Sequence, residues 1–219
     1  NVAASARSAE KLSALGPDIV TIPLDVTDAA ACHAAVERIE SELGPLDLVV
    51  FGAGTYAPVA VDSIDPQLFA HTMNTNYMGV VNCLAAVAPR MLARGSGHIS
   101  WIASVAGFLG LPKAAAYGPT KAALINLAEC LEPEMKLKGV RISVINPGFV
   151  ATPLTAQNDF EMPFLMQPDE AARRTIAGLA AGRFEIAYPR RFVAILRTLR
   201  ALPYPLFFRL ITRFVLKDK

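Results

Sequence analysis

The sequence predicts an α/β fold, a doubly wound parallel sheet in a three-layer sandwich, followed by C-terminal amphipathic helices. Three observations predict it. Short apolar runs alternate with amphipathic stretches along the chain; Leu46–Phe51 is an apolar run, interrupted at Asp47, and is stopped by Gly52-Ala53-Gly54; and no internal repeat is visible. With 219 residues, 53% hydrophobic and 18% charged, the chain can build one substantial α/β core. A mean hydropathy of +0.37 argues against disorder.

The elements follow in order. Val2-Ala3-Ala4-Ser5 and Asp18–Pro23 read as strands, and Ala29–Leu43 as a helix begun near Thr27-Asp28 and ended by Gly44-Pro45. Leu46–Phe51 fits a strand buried on both faces. Asp65-Pro66 opens a long helix reaching about Ala93, and Gly97–Ile102 is the next strand. Ala114–Lys138 is expected to be helical, Val140–Ile145 a strand, Pro168-Asp169-Glu170 a helix start and Phe184–Tyr188 the last strand. The domain is expected over residues 1–188, with a basic amphipathic extension over 189–219. A phosphate-binding glycine-rich turn is absent from the sequence. A first β-α unit of roughly 25–35 residues is therefore expected to precede Asn1.

Composition excludes several classes. Apolar runs stay short of the roughly 18 residues that span a bilayer, and the start does not read as a signal peptide. Cys32, Cys83 and Cys130 are spread along the chain without ligand-like spacing to His33, His71 or His98, which predicts structural thiols, a cytoplasmic location and no metal. Helix-turn-helix, aromatic-basic and zinc patterns are missing, so nucleic acid is not expected as a partner. Charge is uneven: residues 190–219 hold eight Lys or Arg and one acidic residue, against 13 basic and 18 acidic residues before them.

The chemistry centres on Tyr117-Gly118-Pro119-Thr120-Lys121. On a helix, positions i and i+4 share a face, so a phenol and an ammonium can meet over one ligand. A phenol exchanges protons poorly at neutral pH unless a nearby cation favours its phenolate, which Lys121 is placed to do. Thirteen residues upstream, Ser104 follows the strand Gly97–Ile102, on the rim where such sheets bind ligands.

Ser104, Tyr117 and Lys121 match the spacing of the short-chain dehydrogenase/reductase family, which the chain resembles in motif order over roughly residues 1–188. Asn76, in Asn74-Thr75-Asn76-Tyr77-Met78-Gly79, matches its fourth catalytic position. Asp25-Val26 resembles the pair that touches the adenine, and Gly52-Ala53-Gly54 stands where the family has Asn-Asn-Ala-Gly. Asn146–Thr152 resembles the motif after its sixth strand. Gly52 replaces the usual asparagine, which removes a brace between strands. The resemblance implies a Rossmann-like fold, a nicotinamide cofactor, hydride transfer to or from a carbonyl or alcohol carbon, and a homodimer or homotetramer joined through the helices of Asn76 and Tyr117. It further implies that Tyr117 exchanges the proton, Ser104 holds the substrate oxygen and Lys121 lowers the Tyr117 pKa and binds the ribose. Asn76 would hold a water, Pro147, Gly148 and Val150 would line the nicotinamide, and Thr152 would fix its carboxamide. Asn76 could instead only bridge backbone groups, and Thr152 only cap a helix.

Ser5-Ala6-Arg7-Ser8 lacks the carboxylate that holds the ribose hydroxyls of NAD, while Arg7 could pair with a 2′-phosphate, so NADP(H) is favoured over NAD(H). Leu154–Gln167, with Phe160, Met162, Phe164, Leu165 and Met166, suits a small lipophilic carbonyl or alcohol, or serves as a packed lid. Beyond Pro189, two Arg-interleaved apolar segments separated by Pro203 and Pro205 could lie on an anionic membrane surface, or cover the pocket or a subunit interface. A non-catalytic dinucleotide-binding or membrane-associated scaffold is the competing reading, against which the Ser104, Tyr117 and Lys121 set speaks. An epimerase or dehydratase of the extended branch has too little C-terminal chain here for its substrate domain.

Overall fold

The computed structural model describes residues 1–216; Lys217, Asp218 and Lys219, the end of the basic extension, lie outside the described residues. Strand pairing is parallel throughout, as expected for β-α repeats. Strands β1 (Val2–Ala6) and β2 (Ile19–Pro23) pair with each other. Strands β3 (Leu48–Phe51), β4 (Gly97–Ile102), β5 (Val140–Pro147) and β6 (Glu185–Tyr188) form a second sheet in that order. Among the described residues, β1 and β3 therefore each leave one edge unpaired.

Helix α1 (Ala9–Ser13) is a short turn capped by Ser8. Helix α2 (Ala29–Leu43) has the expected bounds because both ends are written locally. Asp28 accepts a hydrogen bond from the Ala31 amide at 2.9 Å, and Gly44 leaves the helix at φ 87°. The expected single helix from Asp65 to Ala93 is instead α3 (Pro66–Met73), a π-helical turn over Asn74–Met78, and α4 (Gly79–Arg94). The extra residue in that turn accompanies the long-range hydrogen bonds of Asn76 described below. The helix expected from Ala114 begins later, as α5 (Gly118–Leu137). Lys113 sits at φ 62°, which no right-handed helix contains, and the chain turns through Ala114 before Tyr117 opens the helix.

The main core lies where α2, α4 and α5 pack on β4 and β5, around fully buried Trp101, Ile99, Leu124 and Val144. The Trp101 indole donates to the Leu124 carbonyl at 3.0 Å, fixing α5 against the sheet. Lost bracing at Gly52 is met elsewhere: Ser100 donates its hydroxyl to the Val49 carbonyl at 2.8 Å, tying β4 to β3. Helix α6 (Pro168–Ala180) packs on β5 and β6. The β1–β2 pair is held to the rest partly through Val26, whose carbonyl accepts from Asn82 on α4 at 2.9 Å. Gly79 is required there, since a Cβ would lie 2.5 Å from the Val26 side chain. Cys32 and Cys83, remote in sequence, meet with sulfurs 3.7 Å apart as free buried thiols, while Cys130 is exposed.

The C-terminal extension forms α7 (Arg190–Arg200) and α8 (Tyr204–Val215). Phe192, Val193 and Leu196 of α7 and Phe207 and Ile211 of α8 join Val105, Leu109 and Phe149 in a second apolar cluster. Their arginines face outward. No helix among the described residues is long and apolar enough to cross a membrane.

Candidate active site

Four elements converge beyond the C-terminal ends of β3, β4 and β5. Ser104 follows β4, and its hydroxyl accepts from the Ala106 amide at 3.1 Å and donates to the Pro147 carbonyl at 3.4 Å. The loop it opens lies directly on α5: a Cβ at Gly107 would sit 2.7 Å from the Lys121 carbonyl carbon. That contact fixes Ser104 relative to the first turn of α5.

Tyr117 is the N-cap of α5, and Lys121 lies one turn later. The Lys121 ammonium is 4% exposed, donates to the Ile102 carbonyl at 2.8 Å and lies 5.4 Å from the Tyr117 ring centroid. Burial pulls the Lys121 pKa down to about 8. Burial also pushes Tyr117 up to about 12, partly opposed by a side-chain hydrogen bond with Ser104 and reinforced by Tyr56. This is opposite to the direction that the Tyr117–Lys121 spacing suggests. The cost of an unsolvated phenolate outweighs any help from the cation, whose hydrogen bond goes to backbone.

Asn76 is fully buried in the π-helical turn. Its amide oxygen accepts from the Thr55 amide at 2.7 Å, and its nitrogen donates to the Thr55 carbonyl at 3.0 Å and to Thr120 Oγ1 at 3.1 Å. It thus clamps the loop after β3 to α5, a wider bridge than one within its own helix. Gly52, Ala53 and Gly54 are exposed in front of it. A Cβ at Gly54 would stand 3.4 Å from Asn76 Oδ1 and 3.8 Å from Lys121 Nζ, so a glycine here keeps open the floor beside the ammonium.

The remaining expected residues are more dispersed. Pro147 ends β5 and takes the Ser104 hydroxyl, while Gly148 has a packing role, because a Cβ there would meet Phe192 at 3.0 Å and Pro189 at 3.1 Å. Val150 bridges to Met166, and Thr152 is tied to Thr155, whose hydroxyl accepts from the Thr152 amide at 3.1 Å. Arg7 lies exposed just past β1. Asp25, past β2, is held below the ordinary carboxylate range by the Thr27 amide and hydroxyl, with smaller contributions from Arg7 and His71. Val26 is occupied in holding α4.

Sequence reasoning missed Tyr56. Its ring meets that of Tyr117 edge to face, with centroids 5.2 Å apart, and its hydroxyl donates to Asn158 Oδ1 at 2.9 Å. Lys113 pairs with Asp159 at 2.5 Å. Two contacts thus join the loop over Leu154–Gln167 to the body, one through Tyr56 and one through Lys113. An aromatic residue two positions after Gly54 was the available signal; Asn158 carried none.

A family model described as short chain dehydrogenase matches residues 1–162. The chain belongs to the short-chain dehydrogenase family. This short-chain dehydrogenase is 36% identical over 198 residues to an uncharacterized oxidoreductase of Myxococcus xanthus, covering 90% of this chain and 78% of that protein. A short-chain dehydrogenase from Burkholderia cenocepacia, solved in complex with NADP, aligns with a TM-score of 0.81 at 26% identity, covering 94% of this chain and 84% of that one. One from Burkholderia phymatum, solved with NAD, gives a TM-score of 0.80 at 23% identity over 89% and 82% of the two chains, a likeness of fold. The protein is therefore an oxidoreductase enzyme with a Rossmann-like fold. The scaffold reading is not favoured.

Proposed function

We propose that this short-chain dehydrogenase uses NADP(H) to interconvert a lipophilic carbonyl compound and its alcohol, with Tyr117 as the proton-exchanging group. The observation that carries the reading is the buried Lys121 ammonium beneath the Tyr117 ring, beside the side-chain-free floor at Gly54. That floor fits a flat ring and its ribose. Lys121 and the backbone of Gly52-Ala53-Gly54 would hold them, with Pro147, Gly148, Val150 and Thr152 on the other side and Asp25, Val26 and Arg7 toward the adenosine. When bound, the nicotinamide supplies or accepts a hydride at the substrate carbon.

The chain's own residues do the rest. With its pKa near 12, Tyr117 is a phenol at neutral pH and is set to donate its proton to a substrate oxygen that becomes anionic. Ser104 hydrogen-bonds that same oxygen. Lys121 stabilises the phenolate left behind, and a bound ligand that seals the site strengthens this attraction by excluding water. Asn76 keeps the floor and α5 in register, and the water assigned to it would reach Lys121 along this clamp.

Arg7 without a neighbouring ribose-binding carboxylate in Ser5–Ser8 supports NADP(H), through charge-assisted hydrogen bonds to a 2′-phosphate. Exposed Phe160, Phe164 and Leu165 support a lipophilic substrate. Homo-oligomerisation through α3–α4 and α5, peripheral membrane contact through 190–219 and a cytoplasmic location complete the reading. Its test is a carbonyl panel with NADPH and NADH. Consumption of NADPH at a carbonyl, abolished in Tyr117→Phe, is expected; a clear NADH preference would defeat the cofactor assignment, and activity surviving in Tyr117→Phe would defeat the mechanism.

A further inference from the structure

We infer that the outer face of α8 is a docking surface for anionic lipid, and that it presents the substrate loop to the bilayer. Helix α8 buries Phe207 and Ile211 against α7 and the body, yet the flank of that apolar face remains uncovered. Tyr204 is 61% exposed, Phe208 57%, Phe214 72% and Val215 52%. Tyr204, Phe208 and Val215 recur at spacings of four and seven, so they form one stripe. The Tyr204 and Phe208 rings stack at 5.6 Å, which makes the stripe a rigid aromatic ridge.

Charge selects the occupant. Residues 190–216 contain Arg190, Arg191, Arg197, Arg200, Arg209 and Arg213 and no acidic side chain. Arg197 is engaged by Glu185 on β6; Arg209 and Arg213 stand exposed on α8, Arg209 flanking the stripe and Arg213 on the side of the helix opposite to it. A second copy docking here about a two-fold axis would press these guanidinium groups against their own kind. An anionic membrane surface meets both the aromatic ridge and the cations: the rings enter the headgroup boundary while the arginines hold phosphates.

The stripe is linked to the catalytic cleft through the buried side of α8, since Phe208 meets Phe207 at 5.2 Å. From α8 the apolar contacts run through Phe207 to Phe192 of α7. Phe192 stacks on Phe149 at 5.7 Å and meets Phe164 of the substrate loop at 5.8 Å, and Phe149 meets Phe160 at 5.9 Å. These contacts tie α8 to the substrate loop, whose exposed Phe160 and Phe164 would receive a lipophilic substrate dissolved in the bilayer. The docking half deepens the peripheral membrane contact proposed above, and only this second half rests on the lipophilic-substrate reading.

Co-sedimentation of the full-length protein with vesicles tests the docking directly. Binding to phosphatidylcholine vesicles containing phosphatidylserine is expected, with little binding to phosphatidylcholine alone and release in high salt. Arg209→Gln with Arg213→Gln should weaken partitioning by about 30-fold, at about 1 kcal/mol per arginine. Phe208→Glu with Val215→Glu should abolish it while leaving the thermal midpoint in place, since both side chains are exposed. Equal partitioning of wild type and both variants, or no binding to anionic vesicles, overturns the proposal. So does a concentration-dependent dimer that Phe208→Glu dissolves in the absence of lipid, which would assign the ridge to a second copy. If docking holds but anionic vesicles fail to raise kcat/KM for bilayer-dissolved ketones over a water-soluble ketone, only the delivery half falls.

Discussion

The corner around Lys121 and the rim around Arg7 are two ends of one proposed cofactor site, and they are built differently. Lys121, Asn76 and Thr120 are buried, and each is hydrogen-bonded to groups on another element or to the backbone of its own. They stand on the four-stranded sheet and on α5, which Trp101 fastens. Arg7 and Asp25 are exposed and stand on a two-stranded sheet that reaches the body through Val26 and α4. Proton exchange needs charges held in a water-poor place, where geometry and pKa are fixed beforehand. Recognition of a phosphate needs only a reachable cation, and a solvated one serves. The difference predicts that substitutions in the corner change rate and pH behaviour, whereas those on the rim change cofactor affinity.

The largest effect is expected at Tyr117. Tyr117→Phe should lower kcat by about 10²- to 10⁴-fold with cofactor affinity nearly unchanged, measured by steady-state kinetics and NADPH fluorescence titration. A loss confined to affinity would break the contrast.

Lys121 carries the next effect, in stability. Its pKa falls from 10.5 to about 8 on folding, so between these values the unfolded chain binds the extra proton. Stability therefore rises with pH through this window and is lost as pH falls through about 8. At 1.36 kcal/mol per pH unit the full contribution is about 3 kcal/mol. Urea unfolding of wild type should gain about 2 kcal/mol over Lys121→Met between pH 8 and pH 10, because the opposing Tyr117 ionisation is common to both proteins and cancels. Parallel pH curves for the two proteins would show the ammonium to be solvated.

On the rim, Arg7→Ala is expected to raise the NADPH dissociation constant about tenfold and to leave kcat and NADH binding alone. Equal loss for both cofactors would remove the phosphate from the argument. The smallest effect belongs to Asn82→Ala, which releases the Val26 carbonyl. About 1 kcal/mol of stability and a few-fold of cofactor affinity should go, with kcat kept; a fall in kcat would mean that the two sheets act as one.

What could be read beforehand follows the range of the forces involved. Helix α2 was legible to its ends because Asp28 and Gly44 act on neighbouring residues. Strand β3 was legible as an apolar run, but the expectation that it is buried on both faces fails, since Leu48 and Val50 are each 45% exposed. The π-helical turn was hidden, since Asn76 is held by Thr55 and Thr120, 21 and 44 residues away. The spacing of Tyr117 and Lys121 was visible, but the depth of their burial was not, and burial sets the direction of both pKa shifts. Alternation in the extension announced two amphipathic helices; which neighbours they would cover depended on the loops after β4 and β5.

The two contacts that fasten Asn158 and Asp159 differ in kind. One joins neutral groups, Tyr56 and Asn158, and the other is an ion pair, Lys113 with Asp159, whose partners remain in touch with solvent. Passage of a bulky molecule past Tyr117 asks both to part, and only the ion pair responds to ionic strength. Salt then becomes a throttle on substrate exchange that never touches the proton-transfer step.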